Sequence, residues 1–373
     1  MSHRDTHRLP LIDLLKVIGS QLIVWHHLAF YGPMADHAAP LMPALMDWLS
    51  DQARVVVQVF LVVGGYLSAS SLAPQGHLRE PAQIGSRIFE RYLRLALPLL
   101  LALVVAVAAA ALARHWMHHS SVPDAPTLMQ LLSHLLLAQD LIGEQALSAG
   151  IWYVSIDLQL YAALLLWMAL VAACSKGPDT ARRALPLGVM CAVAWSALQV
   201  NRDAQWDISA PYFFAAHGLG ALAAWARVGR CARVAFGLAM ASVMLGLWLE
   251  WRERLALAAA LAAILWLWQR TRTSFSVPAS TRSGRVLGVL HYLSRISYAV
   301  FLLHFPVCLV VNAAFTEFVP SQPWPQAAGM LLAWSCSVAV GALFHHVAEA
   351  PVMRWITRCR SAGWRWGRRT AID

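Results

Sequence analysis

The sequence predicts an all-α integral membrane protein of about ten transmembrane helices, folded as one polytopic domain with both termini on the cytoplasmic side. Three observations carry this. The 373 residues are 59% hydrophobic and only 13% charged, about half the charged share of a globular protein. The mean hydropathy is +0.55. The basic residues then orient the spans. With the N-terminus inside, 24 of the 29 Lys and Arg fall on one side, and only Arg54, Arg114, Arg202, Arg252 and Arg254 fall on the other. That is the positive-inside bias of a chain with an even number of crossings.

The spans are read at about 11–31, 53–73, 93–113, 151–173, 184–200, 209–228, 233–250, 254–270, 290–315 and 326–348, each near the length a bilayer requires. The basic-then-apolar N-terminus looks like a signal peptide. Its apolar run is too long and holds Lys16, so it is expected to stay as span 1. Span 1 reads LIDLLKVIGSQLIVWHHLAFY. Span 2 contains VQVFLVVGGYLSA, where Gly64–Gly65 is read as a close helix contact through small residues. RIFERYLRLALP leads into span 3, bringing Arg87, Arg91 and Arg94 before Pro98.

The long external stretch 114–150 carries His115, His118, His119, Asp124, Asp140 and Glu144, without a second ligand set at metal-binding spacing. Within it, Leu128–Ile142 is short and interrupted by His134 and Asp140, as a re-entrant or interfacial helix would be. Span 4 opens GIWYVSIDLQLY, and spans 5 to 8 are read from hydropathy. The link 271–289 is rich in Ser and Thr and is expected to be flexible. Span 9 contains RISYAVFLLHFPV, span 10 ends HHVAEAPVMRW, and residues 354–373 form a basic cytoplasmic tail.

The net charge of +10 is explained by topology. Its arginines are divided among short segments flanking spans, which argues against nucleic acid as a partner. Six scattered cysteines with no CxxC indicate neither a disulfide framework nor a zinc site. No metal is expected.

Ionisable groups at membrane depth are costly and mark function by default. On span 1, Lys16, Ser20 and His27 share one helix face, with Asp13 close to it and His26 pointing elsewhere. Lys16 and His27 are then about 16 Å apart along the axis. Arg87, Arg91 and Arg94 are spaced about a turn apart; they read either as a plain cytoplasmic flank or as a clamp whose guanidinium groups fork onto phosphate oxygens. In span 4, Ser155 and Asp157 lie near the external half. A buried carboxylate needs a partner, and His27 lies at similar depth, so Asp157 is expected to hold the His27 imidazole in one tautomer and raise its basicity. Tyr298, His304 and Glu349, taken singly, read as parts of a kinked helix and an interfacial carboxylate.

Taken together, these segments resemble the acyltransferase-3 family of membrane acyltransferases. The family opens with a basic residue, ten intervening residues and a histidine, matched by Lys16 and His27. Its FFVLSGF phrase corresponds to FLVVGGY at Phe60–Tyr66, with Gly64 where the family has serine. Its arginine pair before a proline resembles Arg91, Arg94 and Pro98. WSLSVEEQFY lines up with WYVSIDLQLY at Trp152–Tyr161, with Asp157 replacing a glutamate. ISYSLYLLHFP is nearly verbatim at Ile296–Pro306, and the closing E-x-P is Glu349–Pro351.

The resemblance implies acyl transfer, acetyl most commonly, from an acyl-CoA on the cytoplasmic side to a hydroxyl of a glycan or lipid-linked sugar on the outer side of a bacterial inner membrane. Acyl-CoA is then a co-substrate and no bound cofactor is implied. Arg91 and Arg94 would meet the CoA phosphates, and Lys16 would guide the donor or neutralise Asp13. His27 would be the general base with Asp157 beside it. Asp13, His26, Ser155, Tyr298, His304 and Glu349 are supporting candidates. A proton-coupled carrier is the rival reading, and a non-catalytic member of the fold is a third, because Gly64 and Asp157 depart from the family pattern.

Overall fold

Proline begins many of the helices, because its fixed φ and missing N–H suit the first turn. The computed structural model describes residues 9–78, 83–271 and 281–361. Every regular element among them is helical. Proline lies at the start of α1 (Pro10–Phe30), α2 (Pro33–Ala38) and α3 (Pro43–Asp51). The chain continues through α4 (Val57–Leu72), α5 (Ile84–Trp116), α6 (Leu128–Leu135) and α7 (Trp152–Cys174). Proline again opens α8 (Pro178–Leu198) and α9 (Ala210–Trp225). Then follow α10 (Arg230–Leu249), α11 (Glu253–Thr271), α12 (Thr281–Phe318) and α13 (Pro323–Phe344). A π-helical turn, His345–Glu349, leads into α14 (Ala350–Ser361).

Seven helices among the described residues are long and apolar enough to cross a membrane, as in a multi-pass membrane protein. They account for seven of the ten expected spans. The other three expected spans coincide with α1, α9 and α11. α1 carries Asp13, Lys16 and two histidines, α9 is 16 residues long, and α11 is 19.

The apolar stretch 128–142 forms only the eight-residue α6, begun by a reciprocal capping box between Thr127 and Gln130. Part of the link expected to be flexible, from Thr281 onward, is the start of α12; its residues 272–280 lie outside the described residues. The tail is helical to Ser361, and its remainder also lies outside them.

The chain divides into two compact units. One holds α1 to α3 with the turn to Val56, α5 from Val104 on through Ala125, and α12 and α13 to Val347. The other holds α4, α5 to Leu103, α6 to α11, and α14.

In the first unit, α1 stops at Gly32, whose φ of +97° favours glycine. A Cβ there would also strike the side chain of Asn312 on α12. Buried Asn312 pins this turn: its Oδ1 accepts from the Met34 N–H at 3.2 Å, and its Nδ2 donates to the carbonyls of Cys308 and Tyr31 at 3.0 and 3.4 Å. Between α1 and α13, Trp25 stacks on Trp334 with centroids 5.9 Å apart, and the Trp334 indole N–H donates to Gln21 Oε1 at 2.8 Å.

In the second unit, α4 and α9 pack backbone against backbone. A Cβ at Gly65 would collide with the carbonyl of His217, and one at Gly220 with the carbonyl of Val62. Gly64 differs from its neighbour. A Cβ there would find ordinary contacts, the nearest being Asp157 Oδ1 and His217 Nδ1 at 3.7 Å. The close-contact expectation thus holds for Gly65 and fails for Gly64.

Candidate functional site

Two buried polar centres emerge, one in each unit. The first is built on α1 and α12. His27, buried near the C-terminal end of α1, places Nδ1 2.5 Å from Nε2 of His304 on α12. The two rings lie within 14° of parallel. His304 is itself fully buried, and its Nδ1–H donates to the Phe301 carbonyl one turn earlier at 2.7 Å. Tyr31 meets the His27 ring edge-on. Next to it on α1, His26 turns the other way, as expected, and its Nδ1–H donates to the Leu49 carbonyl of α3 at 2.9 Å. His26 therefore fastens α1 to α3.

Further along α1, Ser20 is buried and donates to the Val17 carbonyl. Asp13 faces His291 of α12, with Oδ2 3.2 Å from Nδ1. Asp13 thus has a histidine of α12 within reach. Lys16 is half-buried on α1.

The second centre joins α5, α7 and α9. The Arg91 guanidinium donates to Asp157 Oδ2 through Nε at 3.2 Å and Nη2 at 2.5 Å. Its Cζ also sits 5.4 Å from the Tyr161 ring centroid, a cation–π contact. Asp157, expected to serve His27, is bonded within its own unit to a guanidinium, and within the other unit the group bonded to His27 is an imidazole. The physical reason is charge. A nearby positive charge favours a buried carboxylate, and the Arg91 guanidinium always carries one.

His217 of α9 completes this centre. It is 1% exposed, and its Nε2 is a buried ring nitrogen with no partner among the described residues. Sequence reasoning passed over it. The available signal was a lone histidine among the small residues AAHGLG of an apolar span.

Arg94 donates to Glu90 one turn away, at 2.6 Å through Nη2, on a half-open surface. Ser155 accepts from the buried Gln139 amide at 2.8 Å, so it ties α7 to the chain after α6. Nearby, His134 is fully buried. Its Nδ1–H donates to the Gln130 carbonyl at 2.6 Å and its Nε2 accepts from the Leu147 N–H at 3.2 Å. Burial holds the His134 pKa below the ordinary histidine value and lifts that of the neighbouring Asp140 carboxyl above the usual range.

Tyr298 is half-buried on α12, with its ring stacked on Phe301. Glu349 is buried at the end of the π-turn. Among the described residues, no three His, Cys, Asp or Glu side chains are grouped to hold a metal.

A model of one protein family, described as an acyltransferase domain, matches residues 9–345. The chain belongs to the acyltransferase-3 family. The match begins just before α1 and ends at His345, so it takes in His27, Arg91, Asp157 and His304. No curated protein and no solved structure matches the chain. Family membership supports a membrane acyltransferase activity.

Proposed function

We propose that the protein transfers an acyl group, acetyl in the first instance, from acyl-CoA to a hydroxyl of a glycan or lipid-linked sugar. The observation that carries this reading is a buried, hydrogen-bonded histidine at position 27 in a chain of an acyltransferase family. His27 acts as general base on the acceptor hydroxyl, whose oxygen attacks the thioester carbonyl. A C–O bond forms and the C–S bond breaks. The proton taken up by the imidazole leaves with the CoA thiolate, giving the ester and free thiol. Direct attack is preferred to a covalent acyl-histidine because it uses the histidine only as a base.

In this reading the chain has the ten-span, N-in/C-in arrangement expected from its basic residues, takes the donor from the cytoplasmic side of a bacterial inner membrane and meets the acceptor on the outer side, as the family resemblance implies. For the phosphates of the donor, Arg94 is the more available cation. Its pairing with Glu90 is half-exposed and so weaker than a buried pair, which leaves the guanidinium able to turn to a phosphate. Arg91 is held by Asp157 and acts beside it as a fixed positive group. Lys16 remains a candidate for guiding the donor.

A proton-coupled carrier is favoured by one observation, the three neighbouring buried imidazoles of His26, His27 and His304, since such groups form proton relays. The deciding experiment uses acetyl-CoA and the purified protein, with thiol release as the readout. Thioester cleavage by the wild type that is lost in His27→Ala, with CoA binding retained, is the expected result. Equal cleavage by both would remove His27 from the chemistry. No cleavage and no CoA binding by a folded wild type would favour the carrier.

A further inference from the structure

The hydrogen bonds around His27 run in one direction. A carbonyl oxygen can only accept, so the 2.7 Å contact between His304 Nδ1 and the Phe301 carbonyl puts a proton on His304 Nδ1. In a neutral imidazole the other nitrogen then carries the lone pair. His304 Nε2 is therefore an acceptor, and the group 2.5 Å away, His27 Nδ1, must be the donor. His27 Nδ1 holds its proton, and its lone pair is on Nε2. That atom has no hydrogen-bonding protein group among the described residues.

The alternative, an imidazolium at His304, would put a charge on a fully buried ring, which is costly without a counter-ion. None of the contacts of either ring is a carboxylate. The ionisable groups facing His27 are His26 and Tyr31 on its own helix and His304 on α12, while Asp51 and Arg54 act on His26.

Resting on the reading of His27 as general base, we infer that His304 is its positioning residue: the Phe301 carbonyl–His304–His27 relay fixes the His27 tautomer and makes Nε2 the basic atom. An imidazole here does what a carboxylate does beside many catalytic histidines, but without a charge. It orients the ring and selects the nitrogen. It cannot stabilise an imidazolium as an anion would, so it suits a base that must give its proton up again readily to a thiolate leaving group.

The test is made on the full chain in detergent with acetyl-CoA as substrate. Nitrogen-15 histidine spectra, assigned to His27 by comparison with His27→Gln, report which ring nitrogen is protonated. The expected result is a His27 protonated at Nδ1 in the wild type. In His304→Phe, which keeps a ring but removes both nitrogens, a mixture of tautomers is expected. With it, kcat for thioester cleavage falls roughly 100-fold, within the range for loss of an oriented general base, while KM for acetyl-CoA moves less than about twofold. His304→Gln, whose Oε1 can accept from His27 Nδ1–H, restores the Nδ1 tautomer and most of kcat.

A wild-type His27 protonated at Nε2 would overturn the inference. So would an unchanged His27 tautomer in His304→Phe, or equal losses in the Phe and Gln variants. If His304→Phe does not fold, the wild-type spectrum and the Gln variant decide. Failure of the underlying reading looks different: His27→Ala would then keep its thioester cleavage, whatever the spectra show.

Discussion

The two buried centres solve the cost of polarity inside an apolar helical protein in different ways. At Arg91–Asp157 both groups are charged, and two N–H bonds to one carboxylate oxygen compensate them. At His27–His304 a string of neutral hydrogen bonds ends on a ring nitrogen with no protein partner among the described residues. An ion pair of this kind spends its valences on itself and is suited to hold helices in place. A neutral imidazole string keeps one lone pair unspent, which a reaction can use. On the proposed function the difference separates a centre that holds helices from one that does chemistry, although His217 beside the ion pair also keeps a buried ring nitrogen with no partner among the described residues.

The comparison breaks most decisively at His27. His27→Ala is expected to lower thioester cleavage by about 10²–10⁴-fold, with the protein still monodisperse and folded. Asp157→Asn is expected to act the other way round, on stability first. Removing one partner of a buried pair costs about 3–5 kcal/mol. Here about 2 kcal/mol is expected, because a third of the Arg91 side chain is exposed and solvent screens it. Thermal unfolding in detergent measures the loss. Pairing Asp157→Asn with Arg91→Met should recover much of it, since no charge is then left unpaired. If Asp157→Asn instead abolished cleavage without lowering stability, the division between the two centres would be wrong.

The adjacent glycines sharpen the same picture on a smaller scale. Gly65→Ala forces a methyl group into the His217 carbonyl, and about 1–3 kcal/mol of destabilisation is expected. Gly64→Ala meets ordinary contacts and should be neutral or stabilise by roughly 0.5–1 kcal/mol through helix propensity. Gly64→Ser would restore the residue the family resemblance expects, next to Asp157 Oδ1 and His217 Nδ1. Melting temperatures ordered Gly65→Ala below wild type, with Gly64→Ala at or above it, are the predicted result. The reverse order would refute the packing of α4 on α9.

The smallest effect is a pH response outside the membrane-spanning helices. The folded state holds the His134 pKa below its unfolded value, so the unfolded segment binds a proton more readily. Stability from this residue is present at neutral pH and is lost as pH falls below about 6.5. Protonation would also remove the acceptor for the Leu147 N–H. A lower protection factor for the Leu147 amide, its exchange rate taken relative to the intrinsic rate at each pH, on going from neutral to mildly acidic pH is the expected observation, and the change is absent in His134→Gln.

Most of the helices are legible in the sequence, because apolar runs, prolines at first turns and basic flanks are local signals. His27 was legible too, since a histidine at membrane depth costs energy wherever it points. Its partner was not. His304 lies 277 residues away in the chain, and helical periodicity states which face a residue takes without stating which helix covers that face. The same gap left Asp157 without its partner Arg91, 66 residues away. It also left His217 unremarked, a residue whose importance comes entirely from its neighbours.

What the sequence determined by itself is the class of molecule: a helical, multi-pass membrane protein, its family, and the few polar residues too expensive to be buried without purpose. What the tertiary structure decided is the pairing of those residues. Hydropathy and propensity are sums over neighbours in the chain, whereas a hydrogen bond between buried groups depends on two helices meeting at one register. That meeting set aside Asp157 and Arg91 as a compensated pair and placed His304 against His27.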